Sequence, residues 1–274
     1  MSFAESLRKI QEDQNSLLCV GLDSDPDLLP PHLGKTADSV LEFNRQVIEA
    51  TRDLVCGYKL NLAFYEALGS DGWNVLQKTL LIIPPSLLVI GDAKRGDIGN
   101  TADRYASALL ADLKFGAVTV NPYMGRDSVE PFLKYRERGV FLLALTSNPG
   151  SKDFQRLKIG QVPLYEKIVG AAKKWNENNN VGLVVGATHP KELRKIRSMV
   201  PTMPLLIPGI GKQGGDLRSA VRYGCDRKGL MAVVNVGRSI IYSSRDPDFA
   251  VTVRKEAMAV RDEIRMYQAE FFGG

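Results

Sequence analysis

The run VIGDAKRGDIGNTADRYA, residues 89–106, holds the densest charge chemistry of this 274-residue chain. Asp92, Lys94, Arg95 and Asp97 follow directly on the apolar segment SLLVIG, which reads as a buried strand. Charges at the end of a buried strand are costly to desolvate, so the run is either a solvated turn or a reactive site. Residues two apart on a strand point the same way, so Asp92 and Lys94 share one side, and Lys59 of LVCGYKLNLA can join them. Alternating lysines and carboxylates satisfy one another without a metal, and the cations keep the carboxylates ionised. Such fixed charges can steady charge that develops in a reaction, or can form a purely structural ion-pair network. A magnesium site would want two or more carboxylates plus waters, and the interposed lysines argue against one. Asp97 lies past the strand, where the chain turns into a helix opening at Asn100 or Thr101, so its side chain need not face the same site.

A second constellation is glycine-rich. PGIGKQGGD (208–216) and NVGRSI (235–240) combine close backbone approach with a guanidinium, Arg238, that can grip a phosphate bidentately. Taken alone, these are also ordinary tight turns. The two histidines, His32 in LLPPHLGK and His189 before a proline, read as surface or capping residues, which leaves a Ser/His/Asp triad or a histidine metal site poorly supported. Trp73 and Trp175 fall in helical patterns and read as packing residues. Cys19, Cys56 and Cys225 are far apart, odd in number and without C-x-x-C spacing, and read as buried free thiols.

The elements that must carry these groups are eight nearly continuous apolar runs, at 17–23, 54–63, 87–94, 117–123, 140–147, 181–188, 205–211 and 231–240. Continuous rather than alternating hydrophobicity is expected of parallel strands covered by helices. Helical patterns lie between them: 37–54, 101–116 ending at a glycine suited to a C-cap, 125–138, 163–178, 189–200, 215–224 and 246–271. Eight strands alternating with helices predict an α/β fold, a single (β/α)8 TIM barrel over 1–274, since about 250 residues is typical of that architecture. An open doubly wound sheet is the alternative, but the first strand lacks a G-x-G-x-x-G turn. In a barrel, functional groups gather at the C-terminal strand ends. Asp23, Lys59, Asn61, Asp92, Lys94, Asn121, Thr146, Ser147, His189, Gln213 and Arg238 all fall at or just past those ends. The segment SNPGSKDFQRLKIGQVPLY (147–165) is a candidate mobile lid, and the last helix could cap the barrel bottom or meet a partner.

Composition bounds the rest. The chain is 44% hydrophobic and 24% charged, and no apolar stretch approaches the roughly 20 residues of a membrane span. MSFAESLRKIQEDQNS lacks the apolar core of a signal peptide, so a cytoplasmic location is the default. The net charge of +5 comes without basic clusters or interleaved aromatics, which fits an anionic small-molecule substrate better than nucleic acid.

DAKRGDIGNTA matches the Asp-x-Lys-x-x-Asp-Ile-x-x-Thr signature of orotidine 5'-monophosphate decarboxylases. GLDSDP, YKLNLAFYEALG, LTSNPG, PGIGKQGGD and VNVGRSIIY follow in that family's order, so residues 17–242 resemble it, particularly its subgroup with longer loops. The resemblance implies a cofactor-free, homodimeric barrel that converts orotidine monophosphate to UMP in pyrimidine synthesis. By position, Lys94 would deliver a proton to C6, Asp92 would sit against the substrate carboxylate, and Lys59 would hold Asp92 and the ribose. Asp97 would complete the neighbouring subunit's Lys-Asp-Lys-Asp array, with Ile98 and Thr101 as ribose contacts across the interface. Asp23 and Asn61 resemble ribose contacts and Ser147 the pyrimidine contact. Gln213, Gly237 and Arg238 resemble the phosphate grip, with Pro208 at the head of the same loop as a further substrate contact. The nearest alternatives are a magnesium-dependent sugar-phosphate decarboxylase or hexulose-phosphate synthase, which would offer a carboxylate where this chain has Lys59. A Schiff-base aldolase using Lys94 and a catalytically idle phosphosugar-binding barrel complete the set.

Overall fold

The eight apolar runs form eight parallel strands that close on themselves in chain order. They are β1 (Leu18–Gly21), β2 (Gly57–Asn61), β3 (Leu88–Arg95), β4 (Ala117–Val120), β5 (Gly139–Leu145), β6 (Val181–Val185), β7 (Leu205–Pro208) and β8 (Ala232–Val236). This computed structural model describes residues 1–211 and 215–273. Closure comes from β1, which pairs with both β2 and β8. Seven strands are shorter than their apolar runs because pairing stops where the loops diverge, whereas β3 keeps its length and is displaced by one residue. Every residue of β1, β4, β6 and β8 is buried, as two covered faces demand.

The helices fall where the apolar periodicity predicts, with ends moved by a few residues: Ala37–Thr51, Arg126–Leu133, Leu164–Trp175, Pro190–Met199, Leu217–Gly224 and Phe249–Phe272. The helix after β3 opens earlier than expected, at Gly99, and widens into a π-turn over Ser107–Asp112. It stops at Lys114, whose φ of +57° supplies the left-handed residue, so Gly116 is not the cap. Ser70–Ile82 buries Gly72, Val75, Leu76 and Thr79, which turns Trp73 outward, 44% exposed, against the expectation of a packing role. Trp175 does pack on the core.

The barrel bottom is closed by a helix the periodicity did not reveal, Phe3–Gln14, opened by a Ser2/Glu5 capping box. Its buried residues Phe3, Leu7 and Gln11 lie four apart on one face. Phe3 meets Phe141 edge-on at 5.8 Å, and only a glycine at 139 leaves room, since a Cβ there would come 2.4 Å from the Phe3 ring. Gln11 donates from Nε2 to the Ala232 carbonyl and accepts at Oε1 from the Met231 N–H, both at 2.8 Å. The C-terminal helix, expected as a possible bottom cap, instead packs on the outer wall against Ala37–Thr51 and Leu217–Gly224. There Phe249 stacks on Phe43 at 5.2 Å. Cys19, Cys56 and Cys225 are buried free thiols, with Cys19 and Cys56 among the apolar side chains filling the lower barrel.

Candidate active site

At the opposite end, the C-terminal strand ends surround a cavity of about 250 Å³. Its lining includes Asp23 after β1, Lys59 and Asn61 of β2, Asp92 and Lys94 of β3, and Thr146 and Ser147 after β5. Pro208 of β7 and Gly237 and Arg238 after β8 complete the part that the sequence predicts.

The charges are chained. Lys59 Nζ donates to Asp92 Oδ2 at 2.9 Å and approaches Asp23 Oδ1 at 3.5 Å. Lys94 Nζ donates to the other oxygen, Asp92 Oδ1, at 2.7 Å. Lys59 and Asp92 are buried, whereas the Lys94 side chain is 49% exposed towards the open site. Burial alone would raise the Asp92 carboxyl, but the Lys59 and Lys94 ammonium groups outweigh it and hold the carboxyl below its usual range. Burial likewise works against the Lys59 ammonium, and the charges of Asp92 and Asp23 more than offset it, so Lys59 stays protonated. The result is a cation facing a cavity, steadied by a carboxylate that a second, buried cation keeps ionised.

Lys94 reaches this position through an unusual backbone. Its φ is +47°, a region that costs a non-glycine residue about 1–2 kcal/mol. The β3/β4 register slips there: Gly91 faces Val118 but Arg95 faces Val120, so four steps on β3 match two on β4. Arg95, the second cation of the run, leaves the site. It pairs with Glu66 and lies over the Tyr105 ring, 5.3 Å from its centroid.

The remaining candidate residues lie outside this cavity or beyond the described residues. Asp97 does not line the cavity; its Oδ1 accepts from the Ile98 N–H at 2.8 Å, beside an Ile98 that is 55% exposed and an exposed Thr101. Asn121 is exposed and accepts from the Tyr123 N–H, because β4 ends at Val120 and the chain has left the barrel; the polar side chain of β4 that lines the cavity is Thr119, two residues earlier. His189 is behind the wall, its ring nitrogens 3.0 Å from Arg156 Nη2 and 3.1 Å from the Thr146 carbonyl. It thus ties the segment after β5 to the strand end rather than merely starting a helix. Gln213, the expected phosphate bridge, lies outside the described residues.

Thr119, Asn235 and Ser239 are the polar cavity residues that sequence reasoning missed as site residues. Asn235 stood within the quoted VNVGRS run, whereas only the parity of β4 could have pointed to Thr119. On the glycine-rich side, Gly209 and Gly211 take φ of +100° and +81°, and the Gly215 N–H closes back on the Gly209 carbonyl at 3.0 Å. The Arg238 side chain beside this loop is exposed and makes no hydrogen bond or ion pair with the described residues. Asp23 is held by Tyr242, whose hydroxyl donates to the Asp23 carbonyl at 3.0 Å; burial pushes that phenol up to about 12. Among the described residues no cluster of three His, Cys, Asp or Glu side chains converges as metal ligands.

Fold and site together define a (β/α)8 barrel whose C-terminal rim carries a lysine–carboxylate array facing a glycine-and-arginine loop. The family model described as Orotidine 5'-phosphate decarboxylase / HUMPS family matches residues 16–252, and the chain belongs to this family. It is 50% identical to the orotidine 5'-phosphate decarboxylase of Dehalococcoides mccartyi over 275 residues, covering 99% of this chain and 100% of that one. Among solved structures it resembles the OMP decarboxylase of Leishmania donovani at 39% identity and a TM-score of 0.84, covering 97% of this chain and 100% of that one. The UMP synthase of the same organism matches at 40% identity and a TM-score of 0.86, covering 97% of this chain but 57% of the synthase.

Proposed function

We propose that the chain decarboxylates orotidine 5'-monophosphate to UMP in pyrimidine biosynthesis, without a cofactor and as a cytoplasmic homodimer. Family membership and the names of the relatives support the reaction. The observation that carries the mechanism is the Lys94 ammonium, open to the cavity and tied to an Asp92 that Lys59 keeps ionised. In this reading the substrate phosphate lies against Gly237, Arg238 and the loop headed by Pro208, with Gln213 bridging to it. The ribose meets Asp23, Asn61 and Lys59, and the pyrimidine meets Ser147. The carboxylate is then directed at Asp92.

Breaking the C6 carboxyl bond releases carbon dioxide and leaves an electron pair in the ring plane, where the π-system cannot absorb it. Stabilisation therefore has to come from charges already in place, and Lys94 is the cation nearest to the required position. It also supplies the proton that C6 takes up, and regains one from solvent as UMP leaves. Binding energy from the remote phosphate helps close the site over the ring.

Asp97 turns away from its own cavity, which supports its use in a neighbouring one: the partner's Asp97 would extend the array to Lys-Asp-Lys-Asp, with Ile98 and Thr101 of the partner subunit against the ribose. Exposed Ile98, Tyr123 at 78% and Met124 at 44% supply apolar area for such an interface. The turn Pro149–Lys152 and the small hairpin of Lys158–Ile159 with Val162–Pro163 support membership of the longer-loop subgroup.

The test is loss of orotidine monophosphate absorbance with EDTA-treated protein. Turnover is expected without added metal. Turnover that needs magnesium would favour a sugar-phosphate relative, and borohydride trapping of substrate on Lys94 would favour a Schiff-base reaction.

A further inference from the structure

We infer that Thr119 is a positioning residue for the proton donor. Its side chain is buried, 1% exposed, and lies on β4 at the point where the β3/β4 ladder slips. The Lys94 N–H, left outside that ladder, donates to Thr119 Oγ1 at 3.0 Å. Thr119 Oγ1 in turn lies 2.8 Å from Asp92 Oδ1. The direction of the second bond is fixed by the first: Asp92 is ionised and can only accept, so the hydroxyl proton points at the carboxylate.

One hydroxyl therefore does two things. It holds the left-handed backbone of Lys94, φ +47°, in place of a ladder carbonyl, and it fixes the rotation of the Asp92 carboxylate that receives the Lys94 ammonium at 2.7 Å. Lys94 and Asp92 alone do not define that geometry, because a half-exposed lysine has several rotamers within reach of one carboxylate oxygen. With Thr119 on the same Oδ1, the oxygen that the ammonium meets is held at a single place. Misplacing a reacting group by about 1 Å can cost on the order of 100-fold in rate. In the decarboxylase reading the phosphate and ribose meet cavity residues of other strands, so the loss should fall on kcat rather than on KM.

The inference rests on the decarboxylase reading above, and wild-type protein assayed in parallel separates the two. No turnover by wild type would sink that reading, whereas normal turnover by the variants would sink only this one. Thr119→Val keeps the shape and removes the hydroxyl, and Thr119→Ala removes it without added bulk. Both are expected to lower kcat about 10–100-fold, with KM and the Kd of UMP within about threefold of wild type. Thr119→Ser, which keeps the hydroxyl, is expected within about threefold of wild-type kcat. Three results would each overturn the role: hydroxyl-free variants with wild-type kcat, a serine variant as slow as the valine one, or a parallel loss of UMP affinity.

Discussion

At the lower end of the barrel Phe3 and Leu7 of the N-terminal helix plug the cylinder with apolar side chains, and Gln11 spends both ends of its amide on backbone groups. At the upper end Lys59, Asp92 and Lys94 occupy the same cylinder as a chain of charges, and Arg238 stands exposed beside a glycine loop. The lower end fills its interior with apolar side chains and pairs the amide of Gln11 fully. The upper end keeps charges ionised beside an open cavity, which stabilises little and leaves them available. The same strands serve both ends, so stability and chemistry are divided along the barrel axis.

That division can be tested from the largest expected effect down. Lys94→Ala should lower kcat by at least about 10³-fold, because one preorganised donor is worth about 10²–10³ and Lys94 is also the proposed proton source. Its melting temperature and UMP affinity should stay near wild type, as measured by calorimetry and titration, and wild-type-like turnover would refute the assigned role. Lys59→Ala should blur the division, since Lys59 is buried as well as charged. Removing one partner of a buried pair costs about 3–5 kcal/mol, so urea unfolding and turnover should both suffer. A variant that lost activity with its stability intact would show that the pair is not load-sharing with the fold.

Phe3→Ala should do the reverse of Lys94→Ala. Truncating a buried phenylalanine costs about 3–5 kcal/mol, yet the folded fraction should keep wild-type kcat and KM. A changed kcat in fully folded protein would contradict the separation. The smallest effect is in pH. Asp92 sits below its ordinary value of 3.8, so its contribution is present above that pH and is lost as pH falls through the lower folded value. Lys59 sits above its ordinary value of 10.5, so its contribution is present below that pH and is lost as pH rises through the higher folded value. Between those limits the pair should add no pH slope to stability, and Asp92→Asn should flatten the acid limb of the unfolding curve; an unchanged limb would contradict the shift.

Much of this was legible in one dimension. The strands were found because two covered faces make a parallel strand apolar throughout, and β6 and β8 match their runs with trimmed ends. Asp92, Lys94 and Lys59 were found because a period of two puts alternate residues on one side, and Arg238 because NVGRSI on the eighth run pairs with a glycine-rich run after the seventh. The N-terminal helix was missed although Phe3, Leu7 and Gln11 carry a four-residue period, because its charged residues masked so narrow a stripe.

The sequence by itself determined which residue types meet at the rim, since strand period and chain order are local properties. Only the tertiary structure decided that Thr119 rather than Asn121 faces inward, that Arg95 leaves for Glu66, that Asp97 turns from its own cavity and that the first helix, not the last, closes the bottom. Each of these depends on which distant segment lies alongside and in what register. A two-residue slip between β3 and β4 hands the Lys94 N–H to Thr119 instead of to the ladder, and no local pattern encodes it.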